Sequence, residues 1–455
     1  MKPQKIITAV AFVFLCISTH AADWSHWRGP NFDGSSSEQK LPDDFSKTNG
    51  VKWVASLPGP SAATPIIWRD HVFLSSTDLK TKTLRAVAVD RKSGQLLWNN
   101  EIAPGLNQDE RSNLASPSPT TDGERAYFFY STGDLVAFDF SGKQVWSRNI
   151  QKDYGQFVYQ WTYGASPTIC DGKLFIQVLQ RDVPVNGRGR TDGPIESYLL
   201  ALNPASGTEF WRHVRPCEAR AESKEAYSTP IPVSRGYDDP GSGVIIDNNA
   251  KLPIQRWEIL IAGGDCITGH DAKSGKELWR WGTWNTTRLS HWRLVPAPVT
   301  DGKVALALAP KGAPVYAVKL GGSGALTNDS LAWTSTDREV ASDVSTPAFY
   351  QGKFYVVNTD KKTVARVDPA TGKADWIGQL DSRPKIEGSP TAADGKLYFQ
   401  NHAGEVFVVG TGDEFKVLHR VAMGDAGDRD TRASIAVSGG NLFIRTAGKL
   451  YCVGK

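Results

Sequence analysis

DAKSGKELW, residues 271–279, is one of several near-copies of a single phrase. DRKSGQLLW stands at 90–98, NPASGTEFW at 203–211 and DPATGKADW at 368–376; DFSGKQVW at 139–146 is the same phrase one residue short. Each part of it has a structural meaning. The Asp or Asn side chain closes a turn on its own backbone, and the glycine takes the left-handed conformation that side chains resist. The tryptophan then presents a large flat apolar face to whatever packs beside it.

Extending the phrase backwards gives a longer unit. SPTICDGKLFIQVL (166–179), APVTDGKVALAL (297–308), TPAFYQGKFYVV (346–357) and SPTAADGKLYFQ (389–400) are its front halves, and TPIIWRDHVFLSS (64–76) and SPSPTTDGERAYFFY (116–130) match more loosely. Each unit predicts four short strands, A to D. A proline at the start of A is tolerated because its missing N–H lies off the ladder. The DGK turn makes an A–B hairpin, and C runs into the Asp-Gly-Trp phrase that opens D. Trp98, Trp146, Trp211, Trp279, Trp333 and Trp376 mark six units, and a seventh at 389–418 places Leu418 where tryptophan is expected. The eighth, 434–455, stops after strand C, and its strand D is supplied from the other end by VKWVASL (51–57) with Trp53. Four-stranded units at this spacing are propeller blades. The predicted fold is therefore all-β: eight four-stranded antiparallel blades in one domain over 51–455, the last completed by the N-terminal strand. Closure of this kind leaves no open sheet edge.

The bulk composition agrees. With 40% hydrophobic and 22% charged residues the chain is globular rather than disordered, and 15 Trp against 2 Met assigns tryptophan a recurring structural place. A formal charge of +4 gives no footprint for nucleic acid. Residues 1–21 have the pattern of a signal peptide: Lys2 and Lys5, an apolar run over 6–17 too short to span a bilayer, then Thr19 and Ala21 before a cleavage point. Removing those two lysines leaves +2, and the expectation is a periplasmic or secreted protein, monomeric, with no transmembrane segment and an extension over 22–50. Cys170, Cys217, Cys266 and Cys452 are scattered, without the spacing of a zinc, dithiol or haem site. An oxidising compartment permits a disulfide. Cys217–Cys266 is the expected pair, since both fall on one rim of blade four; buried free thiols are the alternative.

Repeats of this form, in eight blades, resemble the pyrroloquinoline-quinone (PQQ) repeat family, which includes quinoprotein alcohol dehydrogenases and the assembly lipoprotein BamB. WSHWRGPNFDG (24–34) looks like the start of secreted PQQ-like propellers. The resemblance covers nearly the whole chain after the signal peptide and speaks for fold more than chemistry. It implies, for a dehydrogenase, adjacent cysteines under the quinone, a Glu/Asn/Asp calcium site with a catalytic Asp, and a longer chain. No Cys-Cys pair is present and no such calcium set can be assigned, so the expectation is no cofactor, with PQQ and Ca²⁺ as the alternative.

Connectivity sorts the loops into two rims. A–B and C–D turns share one, trimmed except for the insertion at 234–257. D–A and B–C loops share the other, which carries QKDYGQFVYQWTYGA (151–165), CEARAESKEAY (217–227), GTWNTTRLSHWRLV (282–295), GDAGDRDTRA (424–433) and the long 180–197 loop. Residues just before each strand A are expected to face the central channel: Asn113, Tyr163, Tyr227, Arg293, Asp343, Glu387 and Arg432. Trp161, Arg181, Arg288, His291, Trp292, Arg383, His402 and Arg429 stand around them. Arginine grips carboxylate or sulfate through paired bonds and aromatic faces stack on sugars, so Trp161, Tyr163, Arg181, His291, Arg293, Arg383, His402 and Arg432 are candidate ligand-binding residues for an anionic or glycan ligand, or a protein. The alternative is that these arginines pair with the rim's own Glu and Asp. His291, Tyr163 and Tyr227 are candidate proton-transfer groups should the site be catalytic. Three functions follow: a binding or scaffold module, which is the reading preferred; a PQQ-dependent dehydrogenase; and a polysaccharide-active lyase or hydrolase. His26, ahead of the closing strand, is expected on the trimmed face or plugging the channel.

Overall fold

The computed structural model describes residues 23–235, 256–282, 284–312 and 314–455. Residues 1–21, expected to be a signal peptide, and most of the 234–257 insertion lie outside the described residues. Eight antiparallel sheets follow one another around an axis. Blade one runs through Ile66–Trp68, His71–Asp78, Thr83–Asp90 and Leu96–Pro104 in that spatial order. The others repeat it. Strand A is innermost and, outside blade four, the shortest, and the A strands of most neighbouring blades pack side by side around the axis.

Closure is as the repeats predict. Val51–Ser56 pairs antiparallel with Lys449–Gly454, placing Trp53 opposite Cys452 and Val54 opposite Tyr451. The head of the chain is thus the outer strand of the last blade.

The repeated phrase does two jobs between blades. Asp90 accepts hydrogen bonds from the Ser93 amide and hydroxyl at 2.8 and 2.7 Å, and Asp139 and Asp271 do the same with Ser141 and Ser274. The serine hydroxyls, followed by backbone amides, hold the Asp90 and Asp139 carboxyls below the usual carboxylate range against the opposing pull of burial. The tryptophan of one blade then lies on the phrase glycine of the next. A Cβ added to Gly94 would come within 2.4 Å of the Trp53 ring, one on Gly142 within 2.6 Å of Trp98, and one on Gly207 within 2.7 Å of Trp146. Each indole N–H is anchored as well, Trp98 to Phe140 O at 3.1 Å, Trp146 to Pro204 O at 2.8 Å and Trp333 to Pro369 O at 2.8 Å.

Four expectations are corrected. In blade seven the tryptophan position belongs to His419, not Leu418: His419 pairs with Val408 as Trp98 pairs with Ala88, while Leu418 is exposed. The His419 Nε2–H donates to Phe45 O at 2.7 Å and the two rings lie 5.3 Å apart, so the extension supplies the docking surface there. Trp279 also departs from the pattern, because its N–H goes to Glu258 in its own blade. The C–D connection of blade five is not trimmed: Gly324–Ala325 turns back and adds a fifth, parallel strand to blade four beside Trp279. Finally, Cys217 and Cys266 are free thiols, as are Cys170 and Cys452. The Cys266 sulfur instead accepts from Arg215 Nη2 at 3.0 Å.

The extension is a strap across the channel. Trp24 and Ile67 exchange backbone hydrogen bonds at 2.9 Å in blade one, and His26 Nδ1 meets Thr120 Oγ1 at 2.7 Å in blade two. On the far side, Asp33 O accepts from Phe349 N and Gly34 O from Ala392 N, both at 2.9 Å, in blades six and seven. Between these anchors Arg28, 1% exposed, donates to Pro390 O at 3.0 Å and Pro347 O at 2.7 Å. Desolvation lowers its pKa to about 10 and that of His26 to about 3. The expected plug is therefore present, built from backbone pairing with the inner edges of the A strands.

Candidate functional site at the channel mouth

Above the strap a cavity of about 400 Å³ opens on the D–A rim. Every blade contributes to it from the residues leading into strand A, and Trp27 of the strap reaches it from below. Three aromatic residues line it, Trp27, Trp161 and Tyr227, with four cations, Arg111, Arg293, Lys311 and Arg432, against two carboxylates, Glu222 and Glu387.

The cations differ in how they are held. Arg432 Nε lies 2.8 Å from Glu387 Oε2, and the same oxygen meets His402 Nε2 at 2.9 Å. Burial alone would raise the Glu387 pKa, but the His402 hydrogen bond and the His402 and Arg432 charges bring it down to about 2. Arg293 sits loosely between Glu222 at 3.8 Å and Asp343 at 3.7 Å, and its buried Nη1 has no hydrogen-bond partner among the described residues. Arg111 lies 5.0 Å over the Trp161 ring, and Lys311 reaches the cavity from a backbone with φ of 61°. Neither has a carboxylate partner for its side chain among the described residues.

The floor owes its shape to the Ser/Thr that precedes strand A. Thr64 N donates to Ser118 Oγ at 2.9 Å, Ser118 N to Ser166 Oγ at 3.0 Å, and Ser166 N to Thr229 Oγ1 at 3.0 Å. The chain resumes past blade five with Ala297 N to Thr346 Oγ1 at 2.9 Å and Thr346 N to Ser389 Oγ at 3.0 Å. Ser434 N to Thr64 Oγ1 at 3.1 Å joins the last blade to the first.

Of the residues named from sequence, Trp161, Tyr227, Arg293, Glu387 and Arg432 line this cavity, while Asn113 and Asp343 do not. Tyr163 does not: it is buried in the blade-three core and donates to Gln177 O at 2.6 Å. Arg181 is buried against Glu225 rather than facing the cavity. Tyr227 also donates to Glu225, at 2.7 Å, and burial raises the pKa of both tyrosines well above the usual value. His291 and Arg383 are exposed outside the cavity, and His402 stands behind Glu387. The rim network weighed against ligand binding is real for Arg181, Arg288 and Arg432. Arg111, Lys311 and Trp27 were missed. Arg111 lies two residues before Asn113, and Lys311 sits in the B–C loop of blade five, outside the segments before strand A that the loop logic selects. The Ser/Thr-Pro pairs are visible in the repeat, where proline marks a strand start and nothing local marks the hydroxyl's partner.

A calcium–quinone centre of the kind the resemblance implies needs a convergent donor set. Among the described residues no three His, Cys, Asp or Glu side chains come together, and Glu222 and Glu387 both face arginine. These residues do not fit that centre.

A glycerol dehydrogenase large subunit from Gluconobacter thailandicus is 26% identical over 172 residues, 37% of this chain and 22% of that protein. The corresponding subunit from Gluconobacter oxydans is 28% identical over 182 residues, and again the match takes in only 22% of its length. Among solved structures, a quinohemoprotein alcohol dehydrogenase from Pseudomonas putida superposes with a TM-score of 0.62 at 13% identity, covering 95% of this chain and 80% of that one. BamB from Moraxella catarrhalis gives 0.53 at 12%, covering 89% and 98%. At such identities these structures speak for the fold. No helix among the described residues is long and apolar enough to cross a membrane. The PQQ-repeat family model described as outer membrane protein assembly factor BamB matches residues 45–176 and 263–455, and with its blade phrases, latch and ring closure the chain belongs to that family.

Proposed function

We propose that the protein is an exported binding module that holds an anionic glycan in the cavity at its channel mouth, without PQQ. One observation carries this reading. Arg111 and Lys311 line a walled cavity with no carboxylate partner among the described residues, beside three aromatic faces. Charged side chains left without partners inside a concavity are positioned for a ligand's opposite charge. Aromatic rings beside them suit the C–H face of a sugar. The catalytic alternatives have less support, because the candidate tyrosines hold their protons tightly and are engaged by Glu225 and Gln177. Export to the periplasm or medium belongs to the same proposal and rests on residues 1–21.

The test is a panel of neutral and acidic oligosaccharides, with affinities measured by calorimetry, on wild type and Arg111→Ala/Lys311→Ala. Loss of both cations is expected to weaken binding of acidic members by tenfold or more and leave neutral ones unchanged. A thermal shift on adding PQQ with Ca²⁺, accompanied by alcohol turnover, would reject the module in favour of a dehydrogenase. Capture of a protein partner through the same rim, with no glycan bound, would replace glycan by protein.

A further inference from the structure

The strap and the Ser/Thr ring together restrict what can enter. A propeller channel open at both ends would let a polymer pass through or lie across it. Here the path is closed below by backbone pairing on opposite sides of the axis, to Ile67 and Thr121 on one and to Phe349 and Ala392 on the other. Whatever binds must come from the D–A rim and stop at the floor.

That floor is chemically specific. Ser118, Ser166, Thr229, Thr346 and Ser389 line the cavity, and each hydroxyl oxygen accepts an amide N–H from the preceding blade. Among the described residues none of these hydroxyl protons has an acceptor. A hydroxyl whose oxygen is pinned by a donor has its proton directed away from that donor. The result is an arc of O–H donors from blades two, three, four, six and seven, interrupted at blade five, where Ala297 stands. Arg293 and Lys311 belong to that same sector, so cationic donors stand where the hydroxyl is missing. With four cations against two carboxylates, the lining carries a net charge of +2.

We infer that the cavity receives the end of an acidic glycan chain, its terminal carboxylate or sulfate held on the axis by the hydroxyl arc, with Trp27 and Trp161 against the sugar. This rests on the glycan reading above and adds direction and stopping point to it. Binding is end-on, so the number of protein molecules bound per chain does not grow with chain length.

Tetragalacturonate, a polygalacturonate several times longer, and a heparin-derived tetrasaccharide are the probes, read by calorimetry. The expected result is one protein per chain for a bound tetramer and also for its long counterpart. Thr346→Val and Thr229→Val, which remove a floor donor at constant volume, should each weaken binding roughly tenfold. Thr346→Ser should restore it. Thr64→Val is the control: Thr64 accepts the same kind of inter-blade N–H, from Ser434, but does not line the cavity. It should lower the melting temperature like the others and leave affinity intact. Several proteins per long chain, or equal loss of affinity in Thr64→Val, would overturn end-on capture while sparing the glycan module. Binding of none of the three probes by folded wild type would remove both.

Discussion

Gly142 shows how narrow the tolerance is at a single position. Its φ of 86° disfavours any side chain, and a Cβ there would press into the Trp98 ring at 2.6 Å. Gly142→Ala should therefore cost about 1–3 kcal/mol, the strained backbone and the displaced ring adding together, as measured by denaturant unfolding. Trp98→Ala, on the other side of the same contact, should cost about 2–4 kcal/mol, since the ring is half-buried and its N–H anchored to Phe140. Glu387 offers a second test at this scale. Its carboxyl is held at about 2 instead of 4.5, so the interaction stabilises the fold fully above the ordinary value and is lost as pH falls toward 2. Glu387→Gln should flatten that part of the acid limb in a plot of stability against pH, leaving the neutral region lower than wild type. The glycine and tryptophan were legible because the phrase repeats in one dimension. His419 was not, since its role is fixed by a β-bulge that shifts the register by one and by a partner, Phe45, far away in sequence.

Strands and turns followed the repeat wherever their partners lay within a unit. The misreadings occur where one element answers to another blade. The C–D connection of blade five joins the sheet of blade four, and no local pattern in LGGSGALTND marks a parallel fifth strand. The Ser/Thr-Pro start of strand A carries two signals, of which only proline's missing donor is local; the hydroxyl's partner lies one blade away. The strap is the element on which most depends. Arg28 replaces water around two otherwise unpaired carbonyls, those of Pro347 and Pro390, and does so without a carboxylate hydrogen bond. Arg28→Ala should leave those groups orphaned beside a void, costing about 2–4 kcal/mol. The 23–45 segment should then become the first site cut in limited proteolysis of an otherwise intact ring.

At the scale of the whole molecule, eightfold repetition gave the fold away, and the same repetition hid the site. A site is what breaks the symmetry: an alanine and a lysine without a carboxylate partner among the described residues in one sector, an indole rising from below. Those differences acquire meaning only when the blades are set in a circle, and residues as distant as Trp27, Arg111 and Arg432 share one cavity. The latch has the opposite character, being a contact between extremes that holds the circle shut. A permuted chain in which residues 51–57 follow 455 should keep the fold and melting behaviour while refolding faster, because the closing pair becomes local. Stopped-flow refolding with a matched thermal melt would check it. Val51 meets Val453, so during synthesis the strand made early must wait, unpaired, until almost the last residue has emerged. For all that interval the nascent protein carries an exposed β-edge at each end, and its most vulnerable moment is the one just before completion.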